Sequence, residues 1–550
     1  MRQNKFLNYV KSKNLFITSV FFIFFITGSQ IYGDYGFYID EKFHRANGFY
    51  WLNYLANYFG LENLSHISNS KLEEISGFTL PSISDWNAYG IIFDLPAAFL
   101  EIIFKINDPF TYYQLRHFLV FLLFFVSSIF FYKILINRFR NKLVSALGLI
   151  LFILTPRIFG DSFYNNKDIV FLSFYTISIF FYFKLLDFQS YKNIFLFSFF
   201  SALSTSLRFA GIFLPISLVL FLFIDKLSKR NDINFKTIFF SIILFFLILF
   251  LTWPYLWNNF LGGILSSFDL DMSWSGKVNF LGKYYISSHL PYYYLLFWIV
   301  ISTPIIHLLL FILGFLYSLK RLIFRYFSIK VFSIHNDLWR STNEKKDVLI
   351  FINLVFFICI LSLLNVNLYN GWRLGYFLYI FIIYFSVYGI YLLVLKFKKK
   401  IKVILVVSFL SIFFLIYRIN LYHPYQSLYF NLAVPKSIKD NVDVDYFGLS
   451  GFHFLKDLIK DERNFPVNVA VNSWYPLWRM TELLSSQNKK KIKVFTQDKK
   501  FEVDYLYSNR IYDVDNRFYK KYDIPGNFRK FKEFKIDDMV IYEVYKRSSE

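Results

Sequence analysis

The sequence predicts a polytopic α-helical membrane protein of about eleven transmembrane helices with a small extracytoplasmic α/β domain at its C-terminal end. Three observations carry that expectation. The 550 residues are 56% apolar and 23% aromatic, with a mean hydropathy of +0.41, where soluble domains are roughly 45–50% apolar. Apolar runs long enough to cross about 30 Å of hydrocarbon as helix recur along the chain, and none has the weak alternation of a membrane β-barrel. Basic residues crowd every second connection, as the positive-inside rule requires.

The first run, about 15–32, follows Arg2, Lys5, Lys11 and Lys13. No clear small-residue cleavage site accompanies it, so it reads as an uncleaved first helix rather than a signal peptide. Later runs lie near 117–136, 144–156, 168–186, 194–207, 210–224, 238–257, 292–317, 348–364, 375–395 and 403–417. An odd number of spans sets the C-terminus on the side opposite a cytoplasmic N-terminus. The charges agree: the cytoplasmic connections hold Lys133, Arg138, Arg140 and Lys142; Lys184 and Lys192; Lys226, Lys229, Arg230 and Lys236; several cations between Lys320 and Lys346; and Lys396, Lys398, Lys399, Lys400 and Lys402. A net charge of +22 is therefore topology rather than a nucleic-acid patch. The single cysteine, Cys359, lies in an apolar run, which excludes an intrachain disulfide.

The expected membrane unit is 1–417, with long outer loops at 33–107 and 258–290, followed by an extracytoplasmic domain at 418–550. The first loop ends in GIIFDLPAAFLEIIFKI, whose Asp94, Glu101 and Lys105 make it a better helix along the interface than a span. The tail is polar and turn-rich, with strand-like runs at VNVAVNS, IKVF, VDYLYS and MVIYEVY and helix-like stretches around Leu455 and Leu483. The join at HPYQSLYFN suits a water interface.

Two groups of residues could carry chemistry. Asp40 and Glu41 form an acidic pair just after the first helix, with His44 three residues beyond. A carboxylate there could take a proton from a hydroxyl as a bond forms, although two solvated acids are the plainer reading. Opposite stand cations on the face where the charge rule disfavours them: Arg157 and Lys167, with Asp161 and Asp168, in PRIFGDSFYNNKDIVF; Arg208 in STSLRFAGIF; and Arg373 in NGWRLGYF. An Arg at hydrocarbon depth costs roughly 2.5–3.5 kcal/mol, so it faces a partner or a wet cavity. Guanidinium forks match phosphate oxygens; pairing of Arg157 and Arg208 with Asp161 and Asp168 as structural glue is the alternative. A DxD pair, Asp269 and Asp271, leaves a divalent metal ion as the one cofactor candidate, without other assured oxygen ligands. The chain has no P-loop, GxGxxG after a strand, GxSxG or HExxH.

The acidic pair in the first outer loop, the interfacial helix, Asp168 opening a helix and Arg208 in a turn together resemble the GT-C membrane glycosyltransferases, the superfamily of protein O-mannosyltransferases and the aminoarabinose transferases that modify lipid A. The resemblance covers most of the membrane region. It implies a polyprenyl-phosphate sugar as donor and inversion at the sugar carbon. It implies Asp40 as base, with Glu41 assisting the acceptor. By position relative to helices, Arg157, Lys167, Arg208 and Arg373 would contact the donor phosphate. It also implies a multi-pass protein of the cell (inner) membrane, with a lipid-linked donor, no nucleic-acid partner and an unassigned acceptor. A transporter or lipid flippase would show repeats and broken helices, neither evident in the sequence. A non-GT-C glycan polymerase or ligase, or a scaffold, would leave the acidic pair incidental.

Overall fold

A computed structural model describes residues 2–76, 89–227, 233–273, 276–327, 339–364, 366–515 and 519–548; of residues 2–14, 76, 227 and 268–273 only the backbone is described. Among the described residues, nine helices are long and apolar enough to cross a membrane. Shorter helices, Lys142–Ile153 and Tyr191–Leu207, occupy the two other expected positions. The chain is thus a multi-pass helical membrane protein.

Two of the expected spans are interrupted, each at a proline. The run at 292–317 divides into Tyr294–Ser302 and Ile305–Phe327, because Pro304 lacks an N–H and crowds the preceding turn. The run at 144–156 ends at Ile153, and a separate turn of helix starts at Pro156. In hydrocarbon, carbonyls freed by such a break need donors from the protein. Asn431 supplies them: its side-chain amide donates to the carbonyls of Val300 (2.7 Å) and Thr303 (3.0 Å), and its backbone N–H to Ile301 (2.9 Å). The join after the last span, whose Pro and aromatics suit a water interface, is enclosed by protein. Residues 425–431 are buried among the helices. They pass so close to Gly160 that a Cβ there would lie 2.9 Å from the Ser427 nitrogen.

The charge-rich connections gather at one end. Asp347 accepts Arg138 through two bonds of 2.6 Å, Arg321 at 3.0 Å and the Tyr384 hydroxyl at 2.6 Å. Beside it Lys345 pairs with Asp225, and Lys346 with Asp187. Much of the positive charge read as topological is thus also buried and paired.

At the other end the first loop folds into helices Glu41–Tyr58, Glu62–Ser76 and Asp94–Ile103, of which only the last was expected. Its amphipathicity is inverted. Asp94 and Glu101 lie on the buried face, while Phe99 and Ile103 are exposed. Glu101 takes Arg45 at 2.9 Å and Arg116 at 2.8 Å. Gly48 lets the helices touch, since a Cβ there would stand 2.3 Å from the Asp94 carbonyl. The second loop carries helix Phe260–Ser273 and an unexpected hairpin, β1 (Lys277–Phe280) and β2 (Lys283–Ile286).

After the last span a mixed sheet runs in the order β4-β3-β5-β7-β6, from β3 (Val467–Val471), β4 (Ile492–Phe495), β5 (Tyr505–Ser508), β6 (Phe528–Ile536) and β7 (Met539–Arg547). β3 is parallel to β4 and β5; β7 is antiparallel to β5 and β6. The four strand-like runs are β3, β4, β5 and β7. β6, FRKFKEFKI, escapes the apolar criterion because charged side chains protect an edge strand. The stretch around Leu455 is helix Ser450–Asp461, whereas that around Leu483 is only a 3₁₀ segment, Leu477–Leu483. The β6–β7 turn docks on the last span, with Asp537 accepting from Arg418 and from the Tyr422 hydroxyl.

Asp347→Ala should strand buried guanidinium groups and cost about 3–5 kcal/mol. A lower thermal midpoint in detergent, with a much smaller change for Glu344→Ala at the half-buried Arg325 pair, would verify the cluster's structural role.

Candidate functional site

Asp40 stands at the N-cap of helix Glu41–Tyr58, where an Asp side chain ordinarily accepts from an N–H of the first turn. Asp108, Asn141, Ser190, Asn234 and Ser341 cap their helices in this way; Asp40 makes no such bond. Its Oδ2 turns instead to the Tyr38 hydroxyl (2.6 Å) and Arg373 Nη1 (3.2 Å), and Arg373 Nη1 also donates to the Tyr38 hydroxyl at 2.6 Å. A forgone cap costs about 1 kcal/mol, and such breaches of local preference concentrate at functional sites. Although set deep among protein atoms, the Asp40 side chain keeps 39% of its surface open. Burial opposes its ionisation, but Arg373 and the Tyr38 hydroxyl outweigh burial and hold the carboxyl below the usual carboxylate range.

Glu41 points the other way. Its side chain is 1% exposed and meets His117 Nε2 at 2.7 Å. Burial pushes its carboxyl up, with His117 offsetting only part of the shift. His44 is also buried, with Nδ1 3.2 Å from Asp94, which takes the Asn47 amide at 3.1 Å. Adjacent in sequence, the two acids are opposite in circumstance, one open and ionised, the other enclosed.

The second group is organised by Asn165. Its amide donates to Asp161 (3.0 Å) and Asp168 (3.2 Å), and its carbonyl accepts the Asp168 N–H at 2.9 Å. Asp168 also pairs with Arg208 at 2.6 Å. The two groups are neighbours: the Tyr38 ring stands 6.1 Å from that of Tyr164, whose hydroxyl donates to Asp161 at 2.7 Å. Lys167 lies over the Tyr89 ring, 2.9 Å from its centroid. Arg157 is enclosed at 1% exposure: Nε donates to the Tyr429 carbonyl at 3.0 Å, and the guanidinium faces the Trp298 and Phe430 rings. Asp161 accepts from Tyr164 at 2.7 Å. Burial, only partly countered by its Asn165 and Tyr164 bonds, raises its carboxyl to about 7. The structure thus brings Asp40, Arg373, Asp168 and Arg208 together and sets Glu41, His44 and Arg157 into the packing around them.

The C-terminal part closes over this group. Phe447 packs edge-on to Tyr38 with centroids 4.8 Å apart and lies 5.5 Å from the Arg373 guanidinium. Arg479 Nη1 donates to the Ile39 carbonyl at 2.6 Å, and Lys42 pairs with Glu482 at 2.8 Å. No sequence signal links these residues to a loop some 400 positions earlier. Arg45 and Arg116 were legible in principle, because they break the same charge rule that singled out Arg208. Among the described residues no three His, Cys, Asp or Glu side chains are grouped to hold a metal ion; the side chains of Asp269 and Asp271 lie outside them.

Residues 95–257 match the family described as dolichyl-phosphate-mannose-protein mannosyltransferase. The resemblance to GT-C glycosyltransferases is a sequence match over that segment. The segment contains Arg157, Asp161, Lys167, Asp168 and Arg208 and stops short of Asp40 and Arg373. No curated protein matches the chain. Among solved structures, the Archaeoglobus fulgidus oligosaccharyltransferase in complex with Zn and sulfate is 12% identical with a TM-score of 0.44, over 77% of this chain and 59% of its own; this chain therefore spans under two thirds of that enzyme. ArnT from Cupriavidus metallidurans bound to undecaprenyl phosphate is 8% identical with a TM-score of 0.42, over 96% of this chain and 97% of its own.

Asp161 holds a proton in the folded chain that the unfolded chain releases between pH about 4 and 7, so its contribution to stability falls as pH rises through that window. Asp161→Asn should shrink the loss of thermal midpoint between pH 5 and pH 8. Asp443 and Asp445, likewise raised by burial to about 7, supply the remainder. An unchanged pH dependence would show that Asp161 is ionised in the fold.

Proposed function

We propose that the protein transfers a sugar from a polyprenyl-phosphate donor to a hydroxyl acceptor on the outer face of the cell membrane, with inversion. The observation that carries this reading is the open, ionised Asp40 carboxylate set beside Arg373, with the Asp168–Arg208 pair next to it. The acceptor oxygen attacks the sugar carbon, the bond from that carbon to the phosphate oxygen breaks, and its electron pair leaves with the lipid phosphate. The acceptor proton passes to Asp40. Arg373, Arg208 and Lys167 stabilise the departing charge. Arg157 anchors the 425–431 segment, and Glu41 with His117 fixes the helix that presents Asp40. The N-terminus and the charge-rich connections are cytoplasmic on this reading, and the domain from 418 is extracytoplasmic. Residues 426–431 pack against the helix breaks at Pro156 and Pro304.

The geometry couples donor to base. A carboxylate held low by a cation is a weak base, and a phosphate that engages Arg373 withdraws that cation from Asp40. The base gains strength as the donor binds, so the acceptor is deprotonated only when a leaving group is in place.

Asp40→Asn should lower transfer by about 10²–10⁴-fold, the range of a general base, while short-chain polyprenyl phosphate still binds in detergent. Arg208→Ala should weaken that binding by about 10–100-fold, the worth of a hydrogen bond to a charged group. A fully active Asp40→Asn protein would overturn the mechanism. Tyr38→Phe removes a hydrogen bond that lowers the Asp40 carboxyl, so the acid limb of kcat/KM against pH should move to higher pH. A limb that stays in place would assign it to another group.

A further inference from the structure

Away from the Asp40 group, a pocket of about 240 Å³ opens between the β1–β2 hairpin, the 439–444 connector and the loop after β5. The cavities among the helices are lined mainly by Leu, Ile, Val and Phe. This one is lined by Tyr284, Tyr512, Lys439, Asp440, Arg510 and Asp515 among others. Two cations face two carboxylates, so the lining has no net charge to attract an anion. Flat aromatic rings with planar charged groups instead suit a neutral polyhydroxylated ligand, which offers C–H faces to the rings and hydroxyls as both donors and acceptors.

The walls are built to hold their shape. The hairpin turns through Leu281 and Gly282, both left-handed at φ 53° and 77°, as a two-residue turn requires. It is stitched to the connector by Gly282 N–H to the Asn441 carbonyl (2.9 Å) and Asn279 N–H to Asp443 (2.9 Å). On the opposite wall Arg510 is left-handed at φ 61°. That conformation is costly for a side-chain-bearing residue and points to a functional demand. Its guanidinium stands 3.8 Å from Asp440, each about one third exposed. At this distance the charges pair without a hydrogen bond between them.

The pocket is also near the base. Val444 lines it, and three residues later Phe447 packs on Tyr38; three residues of extended chain reach at most about 11 Å. We propose that this pocket is a subsite for a neutral oligosaccharide, holding the part of a glycan acceptor remote from the hydroxyl that reacts at Asp40. The acceptor role rests on the transferase reading; the saccharide binding does not.

The test uses the full chain in nanodiscs with mannotriose, cellotriose and chitotriose as probes and inorganic phosphate as control, read by saturation-transfer NMR and calorimetry. At least one trisaccharide should bind, and Arg510→Gly should weaken it ten-fold or more. Glycine accepts the positive φ without strain, so that variant loses the guanidinium and not the fold. Asp440→Ala should weaken binding similarly, whereas Asp40→Asn should leave it unchanged. No trisaccharide binding, binding to phosphate alone, or trisaccharide binding that survives both pocket variants would overturn the proposal. Trisaccharide binding lost in both variants, in a protein whose Asp40→Asn form remains fully active, would uphold the subsite and reject the transferase mechanism.

Discussion

The contact of Arg373 with Asp40 and Tyr38 joins parts of the chain 333 residues apart, and the organisation of the outer face depends on it. Arg373 precedes the penultimate span; Asp40 and Tyr38 belong to the loop after the first. Phe447, from beyond the last span, lies against both Tyr38 and Arg373. An arginine at this depth needs a partner, and the partner available is a carboxylate drawn away from its own helix terminus. This contact positions the open acid and ties the first loop to the segment before the penultimate span, with Phe447 of the C-terminal part packed against it.

The same principle explains why the first loop packs as it does. Soluble amphipathic helices bury apolar residues and expose charges. Asp94–Ile103 departs from this by burying Asp94 and Glu101 beside Ala97 and Ala98 while Phe99 and Ile103 stay exposed. Glu101 between Arg45 and Arg116, and Asp94 beside His44 and Asn47, form polar contacts within the protein. Removing one member would leave the others buried and unpaired. Such a network fixes the loop in one arrangement, which a base presented from that loop needs if it is to meet a hydroxyl within hydrogen-bond reach.

The sequence made the membrane part legible because hydrocarbon imposes a length and a composition on every helix that crosses it. The runs are long, and the cations mark their ends. The proline breaks at 156 and 304 were visible as residues but not as breaks, since an apolar average is indifferent to one proline. The burial of 425–431 was illegible for a different reason: its Pro and aromatics suit either an interface or a core, and only the partners of Asn431 and Gly160 decide. In the site, Arg373 and Arg208 were readable as charges in costly places, whereas Asp40 and Asp168 stood out through the family resemblance. Tyr38, Asn165, Phe447 and Arg479 were not readable, because an uncharged or distant residue breaks no local rule.

The pairing of Arg208 and Arg373 with carboxylates has a further consequence. Arg208 with Asp168 and Arg373 with Asp40 are neutral units, and pairing offsets the cost of holding these charges away from water. On the proposed reading, a phosphate that takes a carboxylate's place gains its guanidinium. That exchange costs little net solvation, because one anion replaces another on the same cation. For Asp168 the displaced acid still has the Asn165 amide. Asp40 is left with Tyr38 alone. Each thus keeps one neutral donor, and on the proposed reading exposure, 39% for Asp40 against 3% for Asp168, is what leaves Asp40 the acid that an acceptor hydroxyl can reach.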